Sequence, residues 1–138
     1  MSSPAAILVV DDEGFILTML SMRLRDHGYS VTIARNGKEA LQTACENPPD
    51  LIITDYQMPI LNGVDFAHTL RADSRTENVP VIMLTARGHK LSVAELKSTN
   101  IRHVLPKPFS AREVLALTDE LLMHERAIAA SVSKDKAA

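Results

Sequence analysis

Three short runs of residues are apolar throughout, and they constrain the fold more than any other feature of the sequence. They cover residues 7–10, 51–53 and 81–84. None of them alternates between apolar and polar residues, so none suits a strand with one face in water. Unbroken runs rich in β-branched residues are typical of strands covered on both faces, as in a parallel sheet between layers of helices. The sequence therefore predicts an α/β protein.

Two weaker runs and the segments between the runs complete the pattern. Apolar runs occur at residues 6–10, 31–34, 51–53, 81–84 and 103–105, and longer amphipathic segments separate them. Between Phe15 and Leu24 the apolar residues recur at helical spacing, and Gly28 is placed to end that helix. The alternation predicts a doubly wound (βα)5 domain with a parallel five-stranded sheet in the order 2-1-3-4-5, the flavodoxin-like arrangement.

Capping signals and apolar periodicity place the other helices. Asn36 followed by Glu39, and Ser110 followed by Glu113, resemble capping boxes that open the second and the fifth helix. The third helix is predicted over residues 63–72, and the fourth over residues 87–97, where the apolar stripe is sparse. We expect one domain over residues 5–124, with residues 125–138 either extending the last helix or forming a disordered tail.

Composition and charge argue against several classes of function. The formal net charge is −2, and basic residues are not clustered, so we expect no direct contact with nucleic acid or with an anionic membrane. No apolar stretch approaches the roughly 20 residues that cross a bilayer, and the first ten residues do not resemble a secretory signal. The single cysteine, Cys45, fits a reducing compartment. These features predict a soluble, cytoplasmic protein, and the start and the polar tail favour one that stands alone.

The polar residues of interest each follow a predicted strand. In order along the chain they are Asp11, Asp12, Asp55, Thr85 and Lys107. In open parallel sheets, ligand sites form outside the carboxyl ends of the strands, where the strand order reverses. With the order 2-1-3-4-5, that point lies between the first and third strands. The three carboxylates are therefore expected to meet there, with the threonine and the lysine on the adjoining strands.

These residue types indicate phosphate chemistry with a metal ion. Three carboxylates at close quarters raise one another's pKa unless a cation lies among them. Oxygen ligands without a partner Cys or His favour a hard cation such as Mg²⁺. Lys107 can offset the charge of a bound phosphoryl group, and the Thr85 hydroxyl can donate a hydrogen bond to it. The residues alone leave open whether Asp55 is a metal ligand only or also a nucleophile.

Four motifs occur in order, each at the end of its own predicted strand. They are Ile-Leu-Val-Val-Asp-Asp at residues 7–12, Asp-Tyr-Gln-Met-Pro at residues 55–59 with Gly63, Leu-Thr-Ala at residues 84–86, and Leu-Pro-Lys-Pro-Phe at residues 105–109. Together they resemble the receiver domain of bacterial two-component response regulators, of the kind found in chemotaxis regulators. The resemblance covers nearly the whole chain.

The resemblance implies a role for each matched residue. Asp55 corresponds to the phosphoacceptor. Mg²⁺, or Mn²⁺, would be held by the carboxylates of Asp11, Asp12 and Asp55 and by the backbone carbonyl of Gln57. The side chains of Gln57 and Arg87 correspond to positions that flank the phosphoryl group and set how fast it hydrolyses.

Further matches concern the switch that follows phosphorylation. Lys107 corresponds to the lysine that contacts the phosphoryl group, and it precedes Pro108 in a peptide bond that the family forms in cis. Thr85 and Ala86 match the residues that reorient towards the phosphoryl group. Val104 stands where the family usually has Tyr or Phe, so an aromatic swing of that side chain is replaced here by a smaller movement.

Three functional hypotheses follow, and the first is favoured. It is a non-enzymatic, phosphorylation-activated signalling switch that accepts its phosphoryl group from a sensor histidine kinase or a histidine phosphotransfer protein. Its output would pass by contact with a downstream protein, as a monomer or a phosphorylation-dependent homodimer. The second is a metal-dependent phosphatase or phosphotransferase, but such enzymes place a second acid where this chain has Gln57. The third is a non-phosphorylated interaction module that retains only the fold.

Overall fold

A five-stranded sheet forms the centre of the molecule. The computed structural model describes residues 4–86 and 89–137, with side chains up to residue 124. The strands are β1 (Ala6–Val10), β2 (Ser30–Ala34), β3 (Leu51–Asp55), β4 (Val81–Thr85) and β5 (Ile101–Pro106). They lie in the order β2-β1-β3-β4-β5, and every neighbouring pair is parallel. The predicted flavodoxin-like fold and strand order are confirmed.

Helices cover both faces of the sheet. They are α1 (Gly14–Asp26), α2 (Gly37–Glu46), α3 (Gly63–Ala72), α4 (Val93–Lys97) and α5 (Ala111–Ala137). Buried residues of α1 and α5 share one apolar cluster with one face of the strands, and buried residues of α2 and α3 share a second cluster with the other face. Among the described residues, no helix combines the length and apolar character that a membrane span requires.

The unbroken apolar runs are explained by this double covering. In β1, Leu8 and Val10 lie in the cluster of α2 and α3, whereas Ile7 and Val9 lie in the cluster of α1 and α5. All five residues of β3 and of β4 are buried. Burying a side chain of this size contributes roughly 1.5–3 kcal/mol to folding. Since successive residues enter opposite clusters, a polar residue within these runs would face apolar surroundings on either side.

Side-chain caps set the beginnings of several helices. The Asn36 side chain accepts a hydrogen bond of 2.8 Å from the Glu39 N–H at the start of α2. The Glu39 carboxylate accepts from the Arg35 N–H, so the reciprocal half of the predicted capping box is displaced by one residue. Ser110 accepts from the Glu113 N–H at the start of α5, as the sequence predicts.

The fourth helix is shorter than the sequence predicts. It begins at Val93, whereas the apolar spacing predicts a start near residue 87. Ser92 and Glu95 form a capping box in which each side chain accepts from the other residue's N–H, at 3.0 and 2.8 Å. This box defines the start of α4 because it satisfies the free N–H groups of the first turn. Residues 87 and 88 lie outside the described residues.

Candidate functional site

Backbone hydrogen bonds extend the sheet just beyond its strands and hold the polar residues in place. The Asp11 N–H donates to Ala34 O at 3.2 Å, and the Lys107 N–H donates to Thr85 O at 2.7 Å. Asp55 is itself the last residue of β3. These side chains therefore stand at one edge of a rigid sheet, at the reversal of strand order between β1 and β3.

The loop after β3 is pressed against the same edge. The Gly63 N–H donates to Tyr56 O at 2.8 Å. A Cβ atom at residue 63 would lie 2.6 Å from the backbone oxygen of Asp55, closer than such atoms approach. The close packing requires glycine at this position. It also fixes the start of α3 against the backbone of Asp55.

Three carboxylates meet at this edge, as the sequence predicts. Asp11, Asp12 and Asp55 each offer one carboxylate oxygen, and these atoms lie within 4.8 Å of one another. Asp11 and Asp55 are buried, whereas Asp12 is exposed. Asp11 Oδ1 accepts a hydrogen bond of 2.9 Å from the Glu13 N–H. Asp11 Oδ2 is buried and has no hydrogen-bond partner among the described residues.

Burial and mutual repulsion disfavour the charged forms of these acids. Burial raises the pKa of the Asp11 carboxyl from 3.8 to about 6, and the Asp55 carboxylate adds to the increase. Burial likewise raises the pKa of Asp55 above its ordinary value, although Lys107 opposes the change. A site of this kind is a ready ligand for a cation, since a cation removes the cost of keeping the carboxylates charged.

Lys107 reaches into the acidic group from the end of β5. Its Nζ atom lies 3.3 Å from Asp55 Oδ2 and 4.0 Å from Asp11 Oδ2. Burial alone would lower the pKa of the ammonium group, but the carboxylates of Asp55 and Asp11 outweigh burial and raise it. The lysine is therefore held charged. The peptide bond that follows it, to Pro108, is cis, as the resemblance implies.

Glu13 also belongs to the site, and the sequence analysis did not identify it. Its Oε1 atom lies 3.4 Å from Lys107 Nζ. The available signal was its position directly after Asp11 and Asp12, at the start of α1. The contact joins residues 94 positions apart, so it depends on the lengths of two side chains that approach from the start of α1 and from the end of β5.

The residues predicted to act in switching lie on β4, just after it, and on β5. Thr85 is the last residue of β4 and is buried, and its hydroxyl finds no hydrogen-bond partner among the described residues. Ala86 follows it and is exposed. Val104 is half-buried, lies opposite Met83 in the β4–β5 pairing and packs against the cluster of α2 and α3. A buried hydroxyl without a partner is available to a new acceptor at low cost.

Gln57 lies on the rim of the site, in the loop after β3. It is exposed, and with Asp12, Met58, Pro59 and others it lines a shallow depression beside the carboxylates. The ring of Tyr56 packs on that of His89, with centroids 4.3 Å apart, which links this rim to the segment after β4. Arg87, predicted to flank the phosphoryl group, lies outside the described residues.

The same loop contains a strained residue. Ile60 has φ of 76°, and it is the only residue other than glycine given a positive φ within the described part of the chain. The Leu61 N–H donates to Pro59 O at 2.9 Å across it. This hydrogen bond closes a γ-turn with a positive φ, which is rarer and more strained than the inverse form. A β-branched side chain is costly in this conformation. Ile60 is 77% exposed, so no burial offsets the cost.

The fold and the site together define a class of protein: a flavodoxin-like domain with an acidic, lysine-containing site at its topological switch point. The family model for the response regulator receiver domain matches residues 7–119. The chain belongs to this family.

Curated relatives and solved structures agree with the family match. The chain is 36% identical over 110 residues to the phosphate regulon transcriptional regulatory protein PhoB of Pseudomonas aeruginosa, covering 80% of this chain and 48% of PhoB. The chain thus spans about half the length of the curated relatives that it matches. It is also similar to the chemotaxis response regulator CheY4 of Vibrio cholerae, with a TM-score of 0.78, 34% identity, and coverage of 85% of this chain and 98% of that one.

A second similar structure bears on the metal. It is the receiver domain of the sensor histidine kinase PA1611 of Pseudomonas aeruginosa, with a TM-score of 0.77 and 28% identity, covering 86% of this chain and 98% of that one. In that structure a magnesium ion is coordinated in the active-site cleft. In the present chain, the three clustered carboxylates offer the oxygen donors that such an ion prefers.

Proposed function

We propose that this chain is a phosphorylation-activated switch that accepts a phosphoryl group on Asp55. The donor would be a sensor histidine kinase or a histidine phosphotransfer protein. The observation that carries the proposal is the position of the Asp55 carboxylate, 3.3 Å from Lys107 Nζ and grouped with two other carboxylates at the switch point of the sheet. A nucleophile, a countercharge and a set of oxygen ligands are thereby available within one small site.

The transfer step requires one carboxylate oxygen of Asp55. This oxygen attacks the phosphorus of a phosphohistidine in line with the bond to the imidazole nitrogen. The P–O bond forms as the P–N bond breaks, and the electron pair of the broken bond leaves with the imidazole, which takes up a proton. Lys107 is placed to contact the oxygens of the transferred group and to offset their charge.

The proposed metal ligands are the carboxylates of Asp11, Asp12 and Asp55 and the backbone carbonyl of Gln57. The fit rests on the donor set, which is all oxygen, and on the buried Asp11 Oδ2, which lacks a hydrogen-bond partner among the described residues. Bound Mg²⁺, or Mn²⁺, would neutralise charge that collects on the transferring phosphoryl oxygens. Asp11 and Asp55, which are costly to ionise in their buried positions, would be stabilised as carboxylates.

Signalling would follow from new contacts of the phosphoryl group. The Thr85 hydroxyl, buried and without a partner in the described part of the chain, would donate to a phosphoryl oxygen and draw Ala86 with it. Val104, which lies opposite Met83 on the neighbouring strand, would follow by a small shift. The phosphorylated state is thereby favoured in a two-state equilibrium. In this proposal the chain regulates another protein by contact and has no substrate of its own, and Gln57 and Arg87 influence how long the phosphoryl group survives.

Intact-mass spectrometry tests the proposal directly. The protein is incubated with MgCl₂ and either acetyl phosphate or phosphoramidate, the second of which carries a P–N bond like that of the natural donor. We expect one phosphate adduct that disappears with EDTA and in Asp55→Asn. Asp50→Asn, an exposed aspartate just before the same strand, is the matched control and should be phosphorylated normally.

Two results would contradict the proposal. One is an adduct of equal yield in Asp55→Asn, which would place the phosphoryl group elsewhere. The other is no adduct in the wild-type protein although calorimetry shows that Mg²⁺ binds. That second result would favour the alternative function, a non-phosphorylated interaction module.

A Thr85→Val variant that is phosphorylated yet shows the same backbone NMR shifts as its unphosphorylated form would support the proposed role of the hydroxyl.

A further inference from the structure

Glu13 shares the Lys107 ammonium group with the acidic site without being one of the clustered carboxylates. Lys107 Nζ lies 3.4 Å from Glu13 Oε1 and 3.3 Å from Asp55 Oδ2. Lys107 thus stands between a buried acid on β3 and an exposed acid at the start of α1. The Glu13 side chain is 59% exposed and that of Asp55 is 6% exposed, so the two contacts differ in how easily water replaces them.

We propose that Glu13 is a positioning residue for Lys107, and that Lys107 gives up this contact when Asp55 carries a phosphoryl group. The inference rests on the proposed function, in which Lys107 contacts the phosphoryl oxygens. Before phosphorylation, Glu13 holds the ammonium group on the α1 side of the site. Afterwards it competes with the phosphoryl group for the same lysine.

The ion pair between Glu13 and Lys107 is weak enough for Lys107 to exchange it for a stronger contact. Ion pairs between exposed side chains contribute only about 0–1 kcal/mol, because water screens them. The charge-assisted contact of Lys107 with a dianionic phosphoryl group is stronger than a contact with a single carboxylate. Lys107 therefore changes partner on phosphorylation. The free energy of the lost contact with Glu13 is subtracted from the free energy gained by contacting the phosphoryl group.

Glu13 has no competing task in the described structure. It occupies the position just before α1, where Ser, Asp or Asn would cap the helix, yet its side chain forms no capping hydrogen bond. Its backbone carbonyl accepts from the Leu17 N–H, and its N–H donates to Asp11. Both of these contacts involve only the backbone of Glu13, so Glu13→Gln retains them and removes only the negative charge.

The first measurement tests the contact itself and needs no phosphorylation. Urea unfolding is followed for the wild-type protein, Glu13→Gln, Lys107→Gln and the double variant, without Mg²⁺. We expect the unfolding equilibrium constants to show a coupling of roughly two- to five-fold between the two positions. Absence of coupling would overturn the proposal, because Glu13 would then not hold Lys107.

The second measurement tests the exchange of partners. The probe is beryllium fluoride with MgCl₂, which mimics a phosphoryl group on a carboxylate, and its affinity is measured by calorimetry. We expect Glu13→Gln to bind the probe roughly two- to five-fold more tightly, because Lys107 is freed. Glu113→Gln removes a charge that is also exposed, from the first turn of α5, and it should leave the affinity unchanged.

The remaining outcomes are also decisive. Unchanged or weaker binding by Glu13→Gln would overturn the proposal, and equal tightening in Glu113→Gln would attribute the effect to net charge. A large loss of Mg²⁺ affinity in Glu13→Gln without the probe would make Glu13 a metal ligand instead. If the wild-type protein neither binds the probe nor is phosphorylated, the proposed function fails, whereas the coupling measured in urea stands separately.

Discussion

The two ends of β3 are equally buried but are opposite in their chemistry. Residues 51–53 enter the two apolar clusters and are fully buried. Two residues further on, Asp55 is 4% exposed, and burial raises the pKa of its carboxyl above the ordinary value. Burial therefore stabilises the fold at one end of the strand and opposes it at the other.

This comparison shows where the domain gives up stability for its site. The hydroxyl groups of Thr54 and Thr85 show the same contrast for uncharged side chains. The buried Thr54 hydroxyl donates to Asp55 O at 3.1 Å, whereas the buried Thr85 hydroxyl has no partner among the described residues. The hydroxyl within the strand has a hydrogen-bond partner, whereas the hydroxyl at the carboxyl edge of the sheet is left available for a ligand. Three variants test this division.

The largest effect is expected at the apolar end of the comparison. Ile53→Ala should lower the free energy of unfolding by about 2–5 kcal/mol, because it leaves a cavity beneath α1 and α5. Urea unfolding measures the change. Ile33→Ala in the edge strand β2, where the side chain is 39% exposed, is the matched control and should cost well under half as much. Equal losses would mean that the core is not centred on β3.

The second variant tests the polar end and should act in the opposite direction. Asp11→Asn should raise the free energy of unfolding at pH 7 by on the order of 2 kcal/mol, because the buried carboxyl with a pKa raised to about 6 no longer has to ionise. Urea unfolding in Mg²⁺-free buffer measures the gain. MgCl₂ should reduce it, because the ion stabilises the folded wild-type protein.

The pH dependence provides the control for this variant. A raised pKa means that between its ordinary pKa of 3.8 and about 6 the folded Asp11 carboxyl binds more protons than the unfolded one. Asp11 therefore costs the wild-type protein nothing below this window, and the cost grows as pH rises through it. The difference between Asp11→Asn and wild type should be near zero at pH 4 and reach its maximum above pH 6. A difference that is constant with pH would contradict the assignment.

The smallest effect is expected in the loop at the carboxyl edge. Ile60→Gly should raise the free energy of unfolding by about 1 kcal/mol, because glycine has no Cβ atom to clash at the positive φ of 76° that Ile60 adopts. Thermal unfolding measures the gain. Ile60→Val retains a β-branched side chain and should show none. A gain in both variants would attribute the effect to lost apolar surface and not to backbone strain.

Much of the fold and of the site could be predicted from local sequence signals. Runs without alternation predict strands that are covered on both faces, and a polar residue directly after each run predicts a shared edge. These signals predict that five residues lie together: Asp11, Asp12, Asp55, Thr85 and Lys107. The prediction succeeded because parallel strands align their carboxyl ends, so that position along the chain determines position in space.

The sequence predicts the start of a helix less well where apolar spacing and capping residues disagree. Apolar spacing predicts that α4 starts near residue 87, but the Ser92–Glu95 capping box defines its start at Val93. The sequence contains both signals, and the short hydrophobic pattern of this segment does not rank them. Hydrogen bonds that satisfy the first turn outweighed a sparse apolar stripe.

The sequence by itself determined the sheet, its order and the gathering of acids at the switch point, since these follow from periodicity and from the geometry of parallel strands. Only the tertiary structure decided that Glu13 meets Lys107 and that Ile60 takes a left-handed turn. Contacts between side chains 94 residues apart and the path of a loop pressed against Gly63 depend on how the elements pack. Packing at that scale is decided by distances of about an ångström, which no local pattern encodes.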